Sequence, residues 1–234
     1  LEHLMKVLVI GATGGSGLAV TQTLLARGCE VTAFARQPHA LRGLPGKLTL
    51  IAGDATRSAD VDRAVQGHDA VVVALGIRES ALRVRLLGSA GTIMDVRSQG
   101  TRHVVDAMRR YGVRRLVVQS SYGVGSTREK LPWVYRLVFA LLLKPQIADT
   151  ERQEAIVRAS GLDWVLAQPV NLTDETTTTP VHASPSGEVE GMKVSRRQVG
   201  DFLADAALNR EHQQACVALS ARPQKATAPQ GALR

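Results

Sequence analysis

Lys6-Val7-Leu8-Val9-Ile10-Gly11-Ala12-Thr13-Gly14-Gly15-Ser16-Gly17 stands near the start of a 234-residue chain and decides its fold. The first five residues are a continuous β-prone run, the pattern of a parallel strand covered on both faces. Glycines end the run, and the period then changes: Gly17, Val20, Thr21 and Leu24 fall at i, i+3, i+4 and i+7 on one helical face, and Gly28 supplies the stop. Strand, glycine loop and helix in this order make a phosphate cradle. The glycines allow a tight turn, a close backbone approach to a pyrophosphate and close packing of helix on strand. The helix start adds unpaired N–H groups and the positive end of the peptide dipoles. Gly11, Thr13, Gly14, Gly15, Ser16 and Gly17 are therefore candidate cofactor-binding residues. The spacing is GxxGxxG, not GxGxxG, and the Lys of a nucleotide-triphosphate loop is missing. A glycine turn without a ligand is the competing reading; the strand before it and the helix after it favour a dinucleotide.

Working outward, the same alternation continues. Strands are predicted at residues 31–35, 48–52, 70–75, 116–118 and 164–167, and helices at 59–65, around 101–108 and at about 150–160, where Gly161 ends the last. Residues 176–185, rich in Thr and Pro, read as a loop or lid beside the site; 196–208 read as a late helix with Ser195 as N-cap, and 216–219 as an edge strand. Strands alternating with helices need crossover connections. The expected fold is a single Rossmann-type α/β domain, a doubly wound parallel sheet with helices on both faces, over residues 5–222. An Ala/Pro/Gln tail without periodicity occupies 223–234.

The end of the second strand selects among dinucleotides. NAD sites place an acid there for the ribose 2′-hydroxyl, whereas NADP sites offer an Arg. Here the strand ends Phe34-Ala35-Arg36 with no acid, and the planar fork of Arg36 suits a phosphate. NADP(H) is the expected cofactor, ahead of NAD(H); a plain surface arginine is the alternative.

Composition narrows the remaining classes. With 44% hydrophobic and only 3% aromatic residues, the chain can build an aliphatic core without disulfide or metal staples. Cys29 and Cys216 show no CxxC spacing, the histidines no metal spacing, and the serines no GxSxG elbow, so no metal site is expected. The formal charge of +8 raises the question of nucleic acid. Its densest group, Arg109, Arg110, Arg114 and Arg115, flanks a helix end, where cations meet the dipole and solvent. We expect neither a nucleic-acid nor a membrane partner: the apolar run 137–143 is far short of the roughly 20 residues that span a bilayer. With no signal peptide ahead of the first strand, the expected location is cytoplasmic and the expected state a monomer or homodimer.

Taken together, these residues resemble the NmrA-like, atypical short-chain dehydrogenase/reductases, and look most like the flavin reductase/biliverdin-IXβ reductase branch. The likeness rests on residues 11–17, Phe34-Ala35-Arg36, Gly53-Asp54-Ala55, residues 59–62 and 69–76, Gln119-Ser120-Ser121, residues 160–164, and Gln168-Pro169. It implies that Asp54 and Ala55 lie along the adenine, Leu75 and Gly76 beneath the adenosine, and Arg78 near the cofactor phosphates. Ser120 and Ser121 would end the fifth strand beside the nicotinamide, and Pro169 and Asn171 would follow the sixth. A turn residue at Asp54 and an ordinary strand-end turn at the serines are the competing readings.

The sequence departs from the superfamily in its proton relay, a Tyr-x-x-x-Lys pair. Four residues after Tyr111, Tyr122 and Tyr135 stand Arg115, Ser126 and Phe139. The helix before the sixth strand, Asp149-Thr150-Glu151-Arg152-Gln153-Glu154, also lacks the Lys or His common in the atypical branch. The first functional reading is an NADPH-dependent reductase of a small flat conjugated acceptor, a flavin, quinone or tetrapyrrole, which can take hydride without that relay. Ser121 and Tyr122 would orient the acceptor as the catalytic candidates, and Leu131-Pro132-Trp133-Val134-Tyr135 would wall an aromatic pocket. A non-enzymatic NADP(H) sensor, or an epimerase or dehydratase of sugar or isoprenoid type, are the alternatives.

Overall fold

The computed structural model describes residues 4–76, 94–133, 144–177 and 179–222. Strand β1 (Lys6–Ile10) leads to helix α1 (Gly15–Ala26), β2 (Glu30–Ala35), β3 (Leu48–Ala52), α2 (Ser58–Val65) and β4 (Ala70–Val73). Then follow α3 (Val96–Tyr111), β5 (Arg115–Gln119), α4 (Lys144–Arg158) and β6 (Asp163–Pro169). The last third holds β7 (Asn171–Thr173), β8 (Val181–Ser184), β9 (Lys193–Ser195), α5 (Arg196–Leu208) and β10 (Ala215–Ala221). The main sheet runs β3-β2-β1-β4-β5-β6-β10-β8, every pair parallel except the last. It is the expected Rossmann-like α/β fold, with a mostly parallel sheet and flanking helices.

Strand pleat sends alternate side chains to opposite faces. Val7 and Val9 pack into one layer with Val20 and Leu24 of α1 and Val199 and Leu203 of α5. Leu8 and Ile10 pack into the other, with Val61 of α2, Val104 and Met108 of α3 and Val157 of α4. The face predicted for the first helix, Gly17, Val20, Thr21 and Leu24, is buried throughout. Against it α5 packs so closely that a Cβ on Gly200 would come within 2.6 Å of the Ala19 Cβ. Thr23 donates to Asp201 at 2.7 Å and Arg27 pairs with Asp205 at 2.7 Å along the same seam.

Three expectations change. The Thr/Pro stretch contains strand β8, antiparallel to β10 at the sheet edge; Pro180 and Pro185 flank it, and an edge tolerates proline because one side of the strand needs no partner. For the same reason β10 is not an edge: β6 and β8 cover it on both sides. Helix α4 begins at Lys144 and not near residue 150, with Pro145 in its first turn, where a missing N–H costs nothing. A second sheet, β7 beside β9, had no signal of its own in the sequence. The 223–234 tail and the apolar run at 137–143 lie outside the described residues.

Candidate functional site

Strand order reverses between β1 and β4, and a crevice opens there beyond the carboxyl ends of the strands, the place where open α/β sheets take ligands. Gly11 turns the chain out of β1 with φ +84°, and its amide and that of Ala12 donate to Phe34 O at 2.9 and 3.2 Å. A Cβ at Gly11 would lie 2.6 Å from Ala74 O, and one at Gly17 would lie 2.1 Å from Gly11 O, so both positions need glycine for backbone packing. Gly14, the N-cap of α1, has no side chain over the helix end, and no side-chain cap closes the first turn. The loop thus offers unshielded α1 amides to an anion.

The cleft over this loop has a volume of about 510 Å³. It brings together Gly11, Thr13, Gly14, Gly15, Ser16, Arg36, Asp54, Ala55, Leu75 and Gly76, all of them anticipated. Gly17 lies beneath the loop, buried, and Arg78 lies outside the described residues. Arg36 is exposed at the mouth, on the side of Asp54. Asp54 serves the turn as well as the cleft: its Oδ1 accepts from Thr56 N at 2.9 Å and from Thr56 Oγ1 at 2.8 Å. Burial raises its pKa, but the Thr56 hydrogen bonds and the charges of Arg36 and Arg57 outweigh that and hold the carboxyl below its ordinary value.

A second cavity of about 210 Å³ adjoins the first at the ends of β5 and β6, and Arg97, Gln119 and Leu172 line both. It gathers Ser120, Ser121, Tyr122, Pro169 and Asn171, again as anticipated, with Leu131, Val170, Leu172 and Met192 as apolar walls. Of the predicted aromatic wall, Leu131 reaches the cavity, Trp133 is 76% exposed, and residues 134 and 135 lie outside the described residues. The hydroxyls are not equally available. Ser120 Oγ donates to buried Glu154 at 2.5 Å, and Gln168 Nε2 donates to the same oxygen at 2.8 Å, while Arg158 holds the other oxygen at 2.8 Å. Tyr122 OH donates to Gly187 O at 3.3 Å, a residue outside the cavity wall, and burial pushes the phenol pKa up. Ser121 is half-buried, and among the described residues its hydroxyl donates one long bond, to Tyr122 O at 3.3 Å.

Two arginines in the clefts were missed. Arg196 lies across the phosphate loop, its Cδ 2.4 Å from where a Gly15 Cβ would be, and pairs with exposed Asp174 at 2.6 Å. Arg97 stands between the two cavities, with Nη2 3.1 Å from the Cβ position of Gly76. Burial lowers its pKa and the charge of Asp149 raises it, for a net fall. A signal existed: each sits in the first turn of a helix, α5 and α3, where the dipole disfavours a cation. A broken local rule marks a place where something else sets the residue.

Comparisons with known proteins agree with this fold. The NAD(P)H-binding family profile matches residues 11–210. The chain is similar to the 3-beta-hydroxysteroid dehydrogenase of Mycolicibacterium neoaurum, 36% identical over 126 residues that make up 51% of this chain and 32% of that protein, so it spans about a third of that relative. It is also similar to the solved structure of a Rossmann-fold NAD(P)-binding family protein from Shigella flexneri, with 26% identity, a TM-score of 0.70 and 94% of each chain covered. ChuY, an anaerobilin reductase from Escherichia coli O157:H7, shares the fold at a TM-score of 0.74 and 20% identity over 96% of this chain and 100% of that one. A strand, a glycine loop shaped by backbone packing and an uncapped helix start at the switch point of the sheet are thus joined to a profile match over most of the sequence, and the chain belongs to the NAD(P)H-binding family.

Proposed function

We propose that this protein is an NADPH-dependent reductase of a flat, conjugated acceptor of the flavin, quinone or tetrapyrrole type. The observation that carries the reading is the two-part cleft: a dinucleotide lobe over the phosphate loop opens, past Arg97 and Gln119, into a smaller lobe with apolar walls. Arg36 at the mouth of the first lobe, with no acid at the end of β2, favours NADPH over NADH. The reductase named in the fold neighbour and the dehydrogenase named in the partial relative fit the same class of chemistry.

When bound, the nicotinamide cofactor supplies the hydride. The chain does the rest. Gly14, Gly15 and the α1 amides fix the phosphates, and the walls Leu131, Val170, Leu172 and Met192 exclude water from a planar acceptor. Ser121 carries the hydroxyl that can turn to polarise it. Tyr122 contributes its ring, because its hydroxyl is engaged by Gly187 and no lysine stands four residues on to lower its pKa. Protonation of the reduced acceptor then falls to solvent.

Steady-state NADPH consumption with a panel of flavins, quinones and linear tetrapyrroles tests the reading. At least one acceptor should turn over. Ser121→Ala should lower that rate about five- to a hundredfold, the value of one hydrogen bond made mainly in the transition state. Tyr122→Phe should leave it nearly unchanged. Tight NADPH binding with no acceptor reacting would hand the site to the non-enzymatic sensor reading.

A further inference from the structure

Arg97 carries a charge that no ion pair among the described residues meets, although the field of Asp149 reaches it. It occupies the first turn of α3, where the peptide dipoles oppose a cation. Its Nη1 is sealed from solvent and has no hydrogen-bond partner among the described residues. The carboxylate whose field reaches it, Asp149, is spent on the helix: it accepts from the Arg97 and Ser98 amides at 3.0 and 3.2 Å and from Ser98 Oγ at 2.5 Å. Asp149 thereby caps α3 from α4, and among the described residues no ion pair reaches the Arg97 guanidinium. Burying a lone cation is unfavourable unless an opposite charge meets it with good geometry. Among the described residues, Asp149 acts on this guanidinium through its field and not as an ion pair.

The place of this cation is specific. Among the described residues lining the second cavity, Arg97 is the one charged side chain; the rest are apolar or carry hydroxyl and amide groups. No described carboxylate on that wall would repel an anion. A guanidinium fork matches a planar carboxylate through two parallel N–H bonds, and matches a lone carbonyl much less well.

We propose that the acceptor taken by the second cavity carries an anionic group, a carboxylate or its equivalent, which forks onto Arg97 while its flat body lies against Leu131, Val170, Leu172 and Met192. This deepens the reductase reading and rests on its placement of the acceptor. Neutral quinones are then poor ligands, and acidic flat molecules good ones.

Naphthoate and naphthamide share size and shape and differ in charge, so their calorimetric titration onto the NADP+-saturated protein tests the proposal without any turnover. Naphthoate should bind about ten- to a hundredfold more tightly than naphthamide, the worth of a charged hydrogen-bonded contact. Arg97→Gln should abolish that preference, and Arg97→Lys should keep part of it. Equal binding of the two probes to the wild type, or no binding of naphthoate, overturns the proposal. So does a preference that survives Arg97→Gln. A large loss of NADP+ affinity in Arg97→Gln would overturn it in another way, by making Arg97 a cofactor contact. Failure of the reductase reading would show instead as absent turnover in the acceptor panel, which these titrations do not involve.

Discussion

Single glycines in the phosphate loop have different jobs, and the distances separate them. A Cβ at Gly17 would meet Gly11 O, Gly11 C and Ala12 Cα at 2.1, 2.9 and 3.1 Å, all backbone atoms that cannot step aside. A Cβ at Gly14 meets only Gly11 O at 3.3 Å and Ala74 O at 3.8 Å, and otherwise faces the cleft. Gly17→Ala should therefore destabilise the fold by about 1–3 kcal/mol, as overpacking does, seen as a lower denaturant midpoint. Gly14→Val should keep the circular dichroism of the wild type and lose cofactor binding, because the side chain fills the space of the pyrophosphate. At Arg36 the expected loss is selective. Arg36→Ala should weaken NADPH binding about ten- to a hundredfold by calorimetry and leave NADH almost untouched, since only NADPH carries the 2′-phosphate. Equal affinities of the wild type for the two cofactors would refute the NADP(H) preference.

Helix α5 shows how an element is placed by its ends. Ser195 Oγ accepts from Gln198 N at 3.1 Å, and Gln198 Oε1 accepts from Ser195 N at 3.1 Å, a reciprocal capping box that Ser195 announced in the sequence. The same cap fixes the first turn that carries Arg196 over Gly15. Ser195→Ala should cost about 1 kcal/mol, read as a fall of roughly 2–4 °C in melting temperature for a domain of this size. An unchanged melting temperature would mean that contacts with α1, and not the cap, hold this helix. Helix α3 solves the same problem from a distance. Its N-cap, Asp95, makes no side-chain cap bond, and Asp149 of α4 supplies the acceptors instead. Local sequence revealed the first cap and hid the second, because a cap borrowed from 52 residues away has no spacing to recognise.

Across the whole molecule, His68 ties β2 to the turn before β4. Its Nε2 lies 2.8 Å from Thr32 Oγ1 and its Nδ1 3.2 Å from Val65 O, an arrangement that suits the neutral ring. Burial lowers its pKa from the ordinary 6.5, against the raising effect of its backbone hydrogen bonds and Asp69. The unfolded chain then binds the proton first, so stability is present above the unfolded value and is lost as pH falls below it. Between about pH 7 and pH 5 the wild type should lose more denaturation free energy than His68→Gln does; parallel curves would show that His68 does not set this slope. The wall residues that end β4, β5 and β6 were legible only through the family resemblance, whereas sequence alone determined the repeating strand-helix order, the phosphate loop and the buried face of α1. Those signals are periodic or local, fixed by pleat, helical turn and the needs of a tight bend. Tertiary structure alone decided that β8 closes the sheet edge, that the hydroxyls of Ser120 and Tyr122 are committed elsewhere, and that Arg97 and Arg196 converge on the clefts. Each of these depends on which distant group lies within about 3 Å of a side chain, and sequence separations such as the 65 residues between Tyr122 and Gly187 leave no trace in spacing or composition.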